Sequence, residues 1–193
     1  MEIGIILLAG GRSQRFGSDK RRAILADGQA LLASTIETVQ ASGLPSLVCL
    51  GRDDLVLETE LLTSQIACVR CQNSSSGMGG TLADGIRARP PSWRGVLVAL
   101  ADMPWIRPST FTAIAASLMT GRIVTPVYRG RRGHPVGFGC EFFPLLEELK
   151  GDKGGKVIMD TFPCARYELE IDDPGICMDV DRPSNIGGFP RPE

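Results

Sequence analysis

The strongest constraint on the fold is an alternation that runs from residue 2 to residue 128. Short, nearly continuous apolar runs occur at EIGIILL (2–8), PSLVCLG (45–51), IACVRC (66–71), GVLVALADMP (95–104) and RIVTPVY (122–128). Runs of that length and character suit strands buried on both faces. Between them lie segments of helical period. ALLASTIETVQASG (30–43) carries Leu32, Ile36 and Val39 on one face, with Gly43 placed to end the helix. TLADGIRARP (81–90) stops at Pro90 and Pro91, and PSTFTAIAASLMTG (108–121) has Pro108 in its first turn and Gly121 past its end. Strand–helix alternation of this kind implies right-handed βαβ units. The expected fold is α/β, a Rossmann-like three-layer sandwich with a mostly parallel central sheet. Residues 129–193 are less regular. They read as a Gly/Arg loop, a stretch turning helical at GFGCEFFPLLEEL (137–149), a helix at GDKGGKVIMDTF (151–162) and short strands near 165–171 and 176–180.

A chain of 193 residues with no internal repeat and no linker-like tract is expected to form one domain over 1–193. Its net charge of −1 gives no general attraction to nucleic acid or to anionic lipid. No apolar run approaches membrane-spanning length. The opening MEIGIILLAGG carries Glu2 where a signal peptide needs positive charge, so it reads as a strand and the expected location is the cytoplasm. Among six cysteines, Cys68 and Cys71 have metal-ligand spacing. There is no second such pair and one histidine, His134, so small apolar fillers of a strand are the better reading. Disulfides are not expected in that compartment.

The cations are local. One group is Arg12, Arg15, Lys20, Arg21 and Arg22; another is Arg129, Arg131 and Arg132. Ligands of open α/β sheets bind beyond the carboxyl ends of the strands. At those ends the sequence places the loop LLAGGRSQRFGSDKR (7–21), the stretch QNSSSGMGG (72–80), Asp102 and RGRRGHP (129–135). The first loop is neither GxxxxGK[ST] nor GxGxxG, yet its physics is similar. Glycines let backbone N–H groups approach phosphate oxygens. Arg15 can bind them bidentately, and Lys20 supplies a compact charge. The alternative is a glycine-rich turn with solvated cations, and the adjacent Lys20, Arg21 and Arg22 cannot all face one ligand. Ser75, Gly77, Met78 and Gly79 precede a helix, as a nucleotide contact or as an ordinary cap.

LAGGRSQRFGSDK resembles the signature loop of the nucleotidyltransferases that load molybdopterin with a nucleotide. SSGMGGTLADGIRA (75–88), ALADMP (99–104), PVYRGRRGHPVGFG (126–139), LKGDKGGKVIM (149–159) and DVDRPSNI (179–186) resemble later stretches of that family in order. The resemblance implies a nucleotidyltransferase fold and attack of a pterin phosphate on the α-phosphorus of a nucleoside triphosphate, with pyrophosphate leaving. It implies nucleotide contacts from Leu8, Ala9, Gly10, Gly11, Arg12, Ser13, Ser75, Gly77, Met78 and Gly79. Arg15, Lys20 and Asp102 would be catalytic. Mg²⁺ would sit on Asp102 and Asp181, both hard oxygen donors. Asp179 would share a side with Asp181 if that segment is extended, with one of the two touching the metal; the other reading of DVDRP is the cap of a final turn or helix. Asp102 could otherwise serve as a turn residue before proline. Arg132, Gly133 and His134 would meet the acceptor, or His134 would simply hold its loop. Gly10 gives the LAGG form of the guanylyltransferase branch, whereas the chain from Gly77 onward is similar to the cytidylyltransferase branch. CTP is the expected donor, with GTP, another phosphorylated acceptor, or a cofactor-carrying chaperone as alternatives. A molybdoenzyme would receive the product.

Overall fold

The computed structural model describes residues 1–11 and 19–181. In chain order the elements are β1 (Ile3–Leu8), α1 (Leu31–Ala41), β2 (Ser46–Gly51), α2 (Leu55–Thr63), β3 (Cys68–Cys71), α3 (Met78–Ala88) and β4 (Gly95–Leu100). There follow α4 (Pro108–Ser117), β5 (Ile123–Tyr128), β6 (Arg131–Arg132), β7 (Val136–Gly139), α5 (Phe143–Glu147), α6 (Lys156–Thr161) and β8 (Arg166–Glu170). The strands form one eight-stranded sheet in the order β3-β2-β1-β4-β7-β5-β6, with β8 pairing β5. The neighbours β1–β2, β2–β3, β1–β4 and β5–β8 are parallel. Strand β7 runs antiparallel between β4 and β5. The expected mostly parallel α/β sandwich is the fold observed.

The layers follow from the two-residue period of a strand. Every position of β1 is buried. Ile3, Ile5 and Leu7 face one core with Leu32 and Ile36 of α1, Leu61 of α2 and Phe111 and Ile114 of α4. Ile6 and Leu8 face the other, with Leu82 and Ile86 of α3, Phe143 and Leu146 of α5 and Ile158 of α6. Gly4 has a packing reason to lack a side chain. A Cβ there would lie 2.3 Å from the ring of buried Trp93.

Several local expectations are corrected. Helix α2 carries no clear signal because only Leu61 on it is buried, so no apolar stripe marks it. Residues 136–139 are a strand and not the head of a helix; their glycines conceal four buried positions between two neighbouring strands. Helix α3 begins at Met78, before the periodic run. Of the 151–162 segment only Lys156–Thr161 is α-helical; Gly151 and Gly154, at positive φ, turn the chain before it. The strand expected at 176–180 does not form. Pro174–Cys177 is a 3₁₀ turn, capped by the Asp173 carboxylate accepting from the Gly175 N–H at 2.9 Å.

Candidate active site

Strand β1 ends at Leu8, and the backbone passes directly into Ala9, Gly10 and Gly11. A Cβ on Gly10 would lie 3.1 Å from Thr81 Cγ2, so glycine lets the end of β1 run close against α3. These residues open onto a cleft of about 750 Å³. Its lining includes Leu8, Ala9, Gly10, Gly11, Lys20, Ser75, Gly77, Met78, Asp102 and Asp181. The expected positions Arg12, Ser13 and Arg15 lie outside the described residues.

The three adjacent cations of the loop divide their work. Lys20–Arg22 forms a 3₁₀ turn whose cap is Asp19, accepting from the Arg21 N–H. Lys20 turns into the cleft, with Nζ 2.7 Å from Asp102 Oδ2 and 3.5 Å from Asp181 Oδ1. Arg21 is a strut. Its guanidinium donates to both Asp54 oxygens, at 2.5 and 2.8 Å, to Asp19 and to the Ala9 carbonyl at 3.0 Å. Burial opposes the Arg21 charge, but the bonds to Asp54 and Asp19 outweigh it and raise its pKa. In return the Arg21 hydrogen bond holds Asp19 below the usual carboxylate range. Asp54 also accepts from the Gly51 N–H at 2.7 Å, tying the end of β2 to the strut. Arg22 makes an exposed pair with Glu60.

Asp102 stands two residues past the end of β4, where the chain leaves the sheet. Its carbonyl accepts from the Val180 N–H at 2.9 Å. Val180 is itself fully buried with Leu25 and Leu31. That anchor draws Asp179 and Asp181 beside Asp102, and one carboxylate oxygen from each of the three lies within 4.8 Å of the others. Burial, then the charges of Asp181 and Asp102, push the Asp179 carboxyl up; Lys20 works the other way. Three close carboxylates with an ammonium already among them form a hard oxygen site that needs positive charge. The donor set fits a divalent ion of the Mg²⁺ or Mn²⁺ type.

Ser74–Ser76 forms a 3₁₀ turn and leads through Gly77, at φ +98°, into α3. A Cβ on Gly77 would fall 2.2 Å from Asp152 Oδ1. The Gly79 N–H is taken up within the chain, donating to the Gly151 carbonyl at 2.7 Å, and Gly79 is not among the residues that line the cleft. Asp152, unremarked in the sequence reading, thereby joins the cleft wall.

Arg132, Gly133 and His134 lie elsewhere, on a second cavity of about 300 Å³ that shares Leu8, Met78 and Leu100 with the first. Arg132 pairs with Glu168 across the surface. A Cβ on Gly133 would meet the Ile176 carbonyl oxygen at 2.1 Å, and the His134 N–H donates to the same oxygen at 2.9 Å. Burial lowers the His134 pKa, opposed by the Val98 main chain and the charges of Asp102 and Asp179. Cys68 and Cys71 are in β3, where the Cys71 thiol contacts the Thr81 carbonyl at 3.5 Å. Among the described residues no helix is long and apolar enough to cross a membrane.

Comparison with known proteins gives the family. Residues 5–168 match the model of the MobA-like NTP transferase domain. The chain is 24% identical over 188 residues to the purine catabolism protein PucB of Bacillus subtilis, covering 92% of this chain and 91% of that one. It is 26% identical to nicotine blue oxidoreductase of Paenarthrobacter nicotinovorans, over 91% and 90% of the two chains. A probable molybdenum cofactor guanylyltransferase of Chloroflexus aggregans is 33% identical over 63% of this chain and 56% of its own. In structure it is similar to Rv0371c of Mycobacterium tuberculosis, with TM-score 0.84, 24% identity and coverage of 96% and 95%. Rv0371c has also been solved in complex with manganese; that structure matches with TM-score 0.75 and 22% identity over 89% and 88%. The chain belongs to the MobA-like NTP transferase family, and is a nucleotidyltransferase.

Proposed function

We propose that residues 1–193 act as one domain that transfers CMP from CTP to the phosphate of a molybdopterin-type acceptor, releasing pyrophosphate. The observation that carries this is Lys20 held between Asp102 and Asp181 on the cleft that opens past β1. An acceptor phosphate oxygen forms a bond to the α-phosphorus as the bond to the pyrophosphate oxygen breaks. Attacker, donor and leaving group are all anionic, so catalysis is positioning and charge neutralisation. Asp102 and Asp181, with Asp179 adjacent, would hold Mg²⁺, which when bound neutralises phosphate charge. Lys20 then gives its ammonium to the phosphates, and the backbone at Ala9–Gly11 orients them. The loop sequence continues into Arg12, Ser13 and Arg15, the further donors this reading assigns. The acceptor takes the second cavity, beside Gly133 and His134. Six free cysteines suit a reducing cytoplasm.

A GTP-using reading has Gly10 of the LAGG loop and the guanylyltransferase relative in its favour. One assay decides: purified chain, Mg²⁺, molybdopterin and either CTP or GTP, followed by pyrophosphate release. CTP is expected to outrun GTP, and Asp102→Asn to slow turnover by about 10²–10³-fold. No pyrophosphate with either nucleotide overturns the proposal.

A further inference from the structure

Among the described residues, three buried side-chain polar atoms have no hydrogen-bond partner: Arg89 Nε, Thr125 Oγ1 and His134 Nδ1. Interiors seldom leave such groups unpaired, because an unmet hydroxyl or ring nitrogen forfeits its hydration for nothing. Two of the three, Thr125 and His134, line the same 300 Å³ cavity. Thr125 is 1% exposed, in the middle of β5, paired in register with Glu168 of β8. Nothing about strand formation calls for a hydroxyl there; its strand neighbours Val124 and Ile123 are buried and apolar.

The rest of the cavity limits what those atoms could meet. Its inner wall is apolar, with Val98 of β4 and Phe138 of β7 among the contributors. Four basic residues line it; Arg132 pairs with Glu168, Lys156 pairs with Asp160 and Arg166 approaches Glu168 at 3.8 Å, so Lys153 is the one with no ion pair among the described residues. A polyol would bring a ring of hydroxyls, each needing a partner that apolar walls do not supply. A flat heterocycle buries two apolar faces, presents polar atoms only at its edge, and can carry a phosphate toward the cations.

Resting on the reading that the acceptor occupies this cavity, we infer that Thr125 is a specificity-determining residue. Its hydroxyl, together with the His134 imidazole, reads the polar edge of a phosphorylated heterocyclic acceptor and selects it over sugar and polyol phosphates. Thr125 touches the acceptor and takes no part in the nucleotide cleft.

The test titrates the full chain with 6-hydroxymethylpterin monophosphate, glucose 1-phosphate and inorganic phosphate by calorimetry. Thr125→Val keeps the shape and removes the hydroxyl; Thr125→Ser keeps the hydroxyl. The pterin probe is expected to bind tightest to the unaltered protein. Thr125→Val should weaken it about tenfold and Thr125→Ser should retain it. Melting temperature should hold or rise in Thr125→Val, since an unpaired buried hydroxyl is gone. A purely structural hydroxyl would give the opposite pattern: lower melting temperature and unchanged probe affinity. The inference is overturned by that pattern, by Thr125→Ser losing as much as Thr125→Val, or by glucose 1-phosphate or phosphate alone matching the pterin probe. CTP binding with Mn²⁺, measured on the same samples, judges the cleft separately; its failure would count against the nucleotidyl reading and not against Thr125.

Discussion

Lys20→Met gives the most direct test of how the acidic trio and the loop lysine work together. The Lys20 ammonium lies 2.7 Å from Asp102 and 3.5 Å from Asp181, in the position a metal cation would compete for. The bare Coulomb attraction at 2.7 Å is about 6 kcal/mol at an effective dielectric of about 20. Lost hydration and side-chain ordering cancel most of it, leaving about 1.5–3 kcal/mol for a charged hydrogen bond. The lower end applies, because the Asp102 and Asp181 side chains are 24% and 51% exposed. Removing the ammonium therefore frees about 1.5 kcal/mol, a gain of about tenfold in metal affinity when no nucleotide is present. Turnover moves the other way. The triphosphate loses a preorganised cation, and the rate should fall by about 10²–10³-fold. Paramagnetic titration of Mn²⁺ against the nucleotide-free protein reads the first effect, and pyrophosphate release the second. Unchanged or weaker Mn²⁺ binding in Lys20→Met would refute the reasoning, since lysine and metal would then not be sharing the carboxylates.

Two further outcomes are expected. Arg21→Ala leaves Asp54 and Asp19 without their guanidinium and should cost about 2–3 kcal/mol, lowering the melting temperature by roughly 4–12 °C. Arg21→Lys should recover only part, because an ammonium cannot hold the two-oxygen fork on Asp54; an unchanged melting point in Arg21→Ala would remove the strut. His134 is the single histidine, and burial lowers its pKa in the folded state. The unfolded chain then takes up the proton first, so stability falls as pH drops from 7 through about 6.5, the imidazole's ordinary value. His134→Asn should flatten that slope in urea melts, and a slope that survives the substitution contradicts the buried neutral ring.

The parts legible in the sequence are those governed by local rules. Strand β1 could be read because six consecutive buried positions leave an unbroken apolar run, and α1 because Leu32, Ile36 and Val39 all face one core. The gathering of Lys20 with Asp102 was foreseeable from strand ends alone, since β1 and β4 are parallel neighbours whose chains leave the sheet on the same side. What stayed hidden depends on long-range pairing. Nothing local in the run Lys20-Arg21-Arg22 tells Lys20 from Arg21; the division is set by Asp54, 33 residues away and reached through the end of β2. Asp181 is legible only through the family resemblance; what stayed hidden is how it gets there, with Val180 in a buried pocket giving its N–H to the Asp102 carbonyl, a contact no spacing rule announces.

Strand β7 is the instance with the largest functional consequence. VGFG has two glycines and four residues, too little pattern to mark a strand, yet it inserts antiparallel between β4 and β5. That insertion builds the wall of the second cavity, to which Val98, Val136, Phe138 and Thr125 contribute from three neighbouring strands. Were β5 paired directly to β4, as simple βαβ winding suggests, Val136 and Phe138 would have no place between Val98 and Thr125. The larger cleft uses the parallel half of the sheet, where strand ends converge; the second cavity uses the strand that breaks the winding. Leu8, Met78 and Leu100 border both. On the proposed reading, donor and acceptor would meet across those three side chains, each held by a separate part of one sheet.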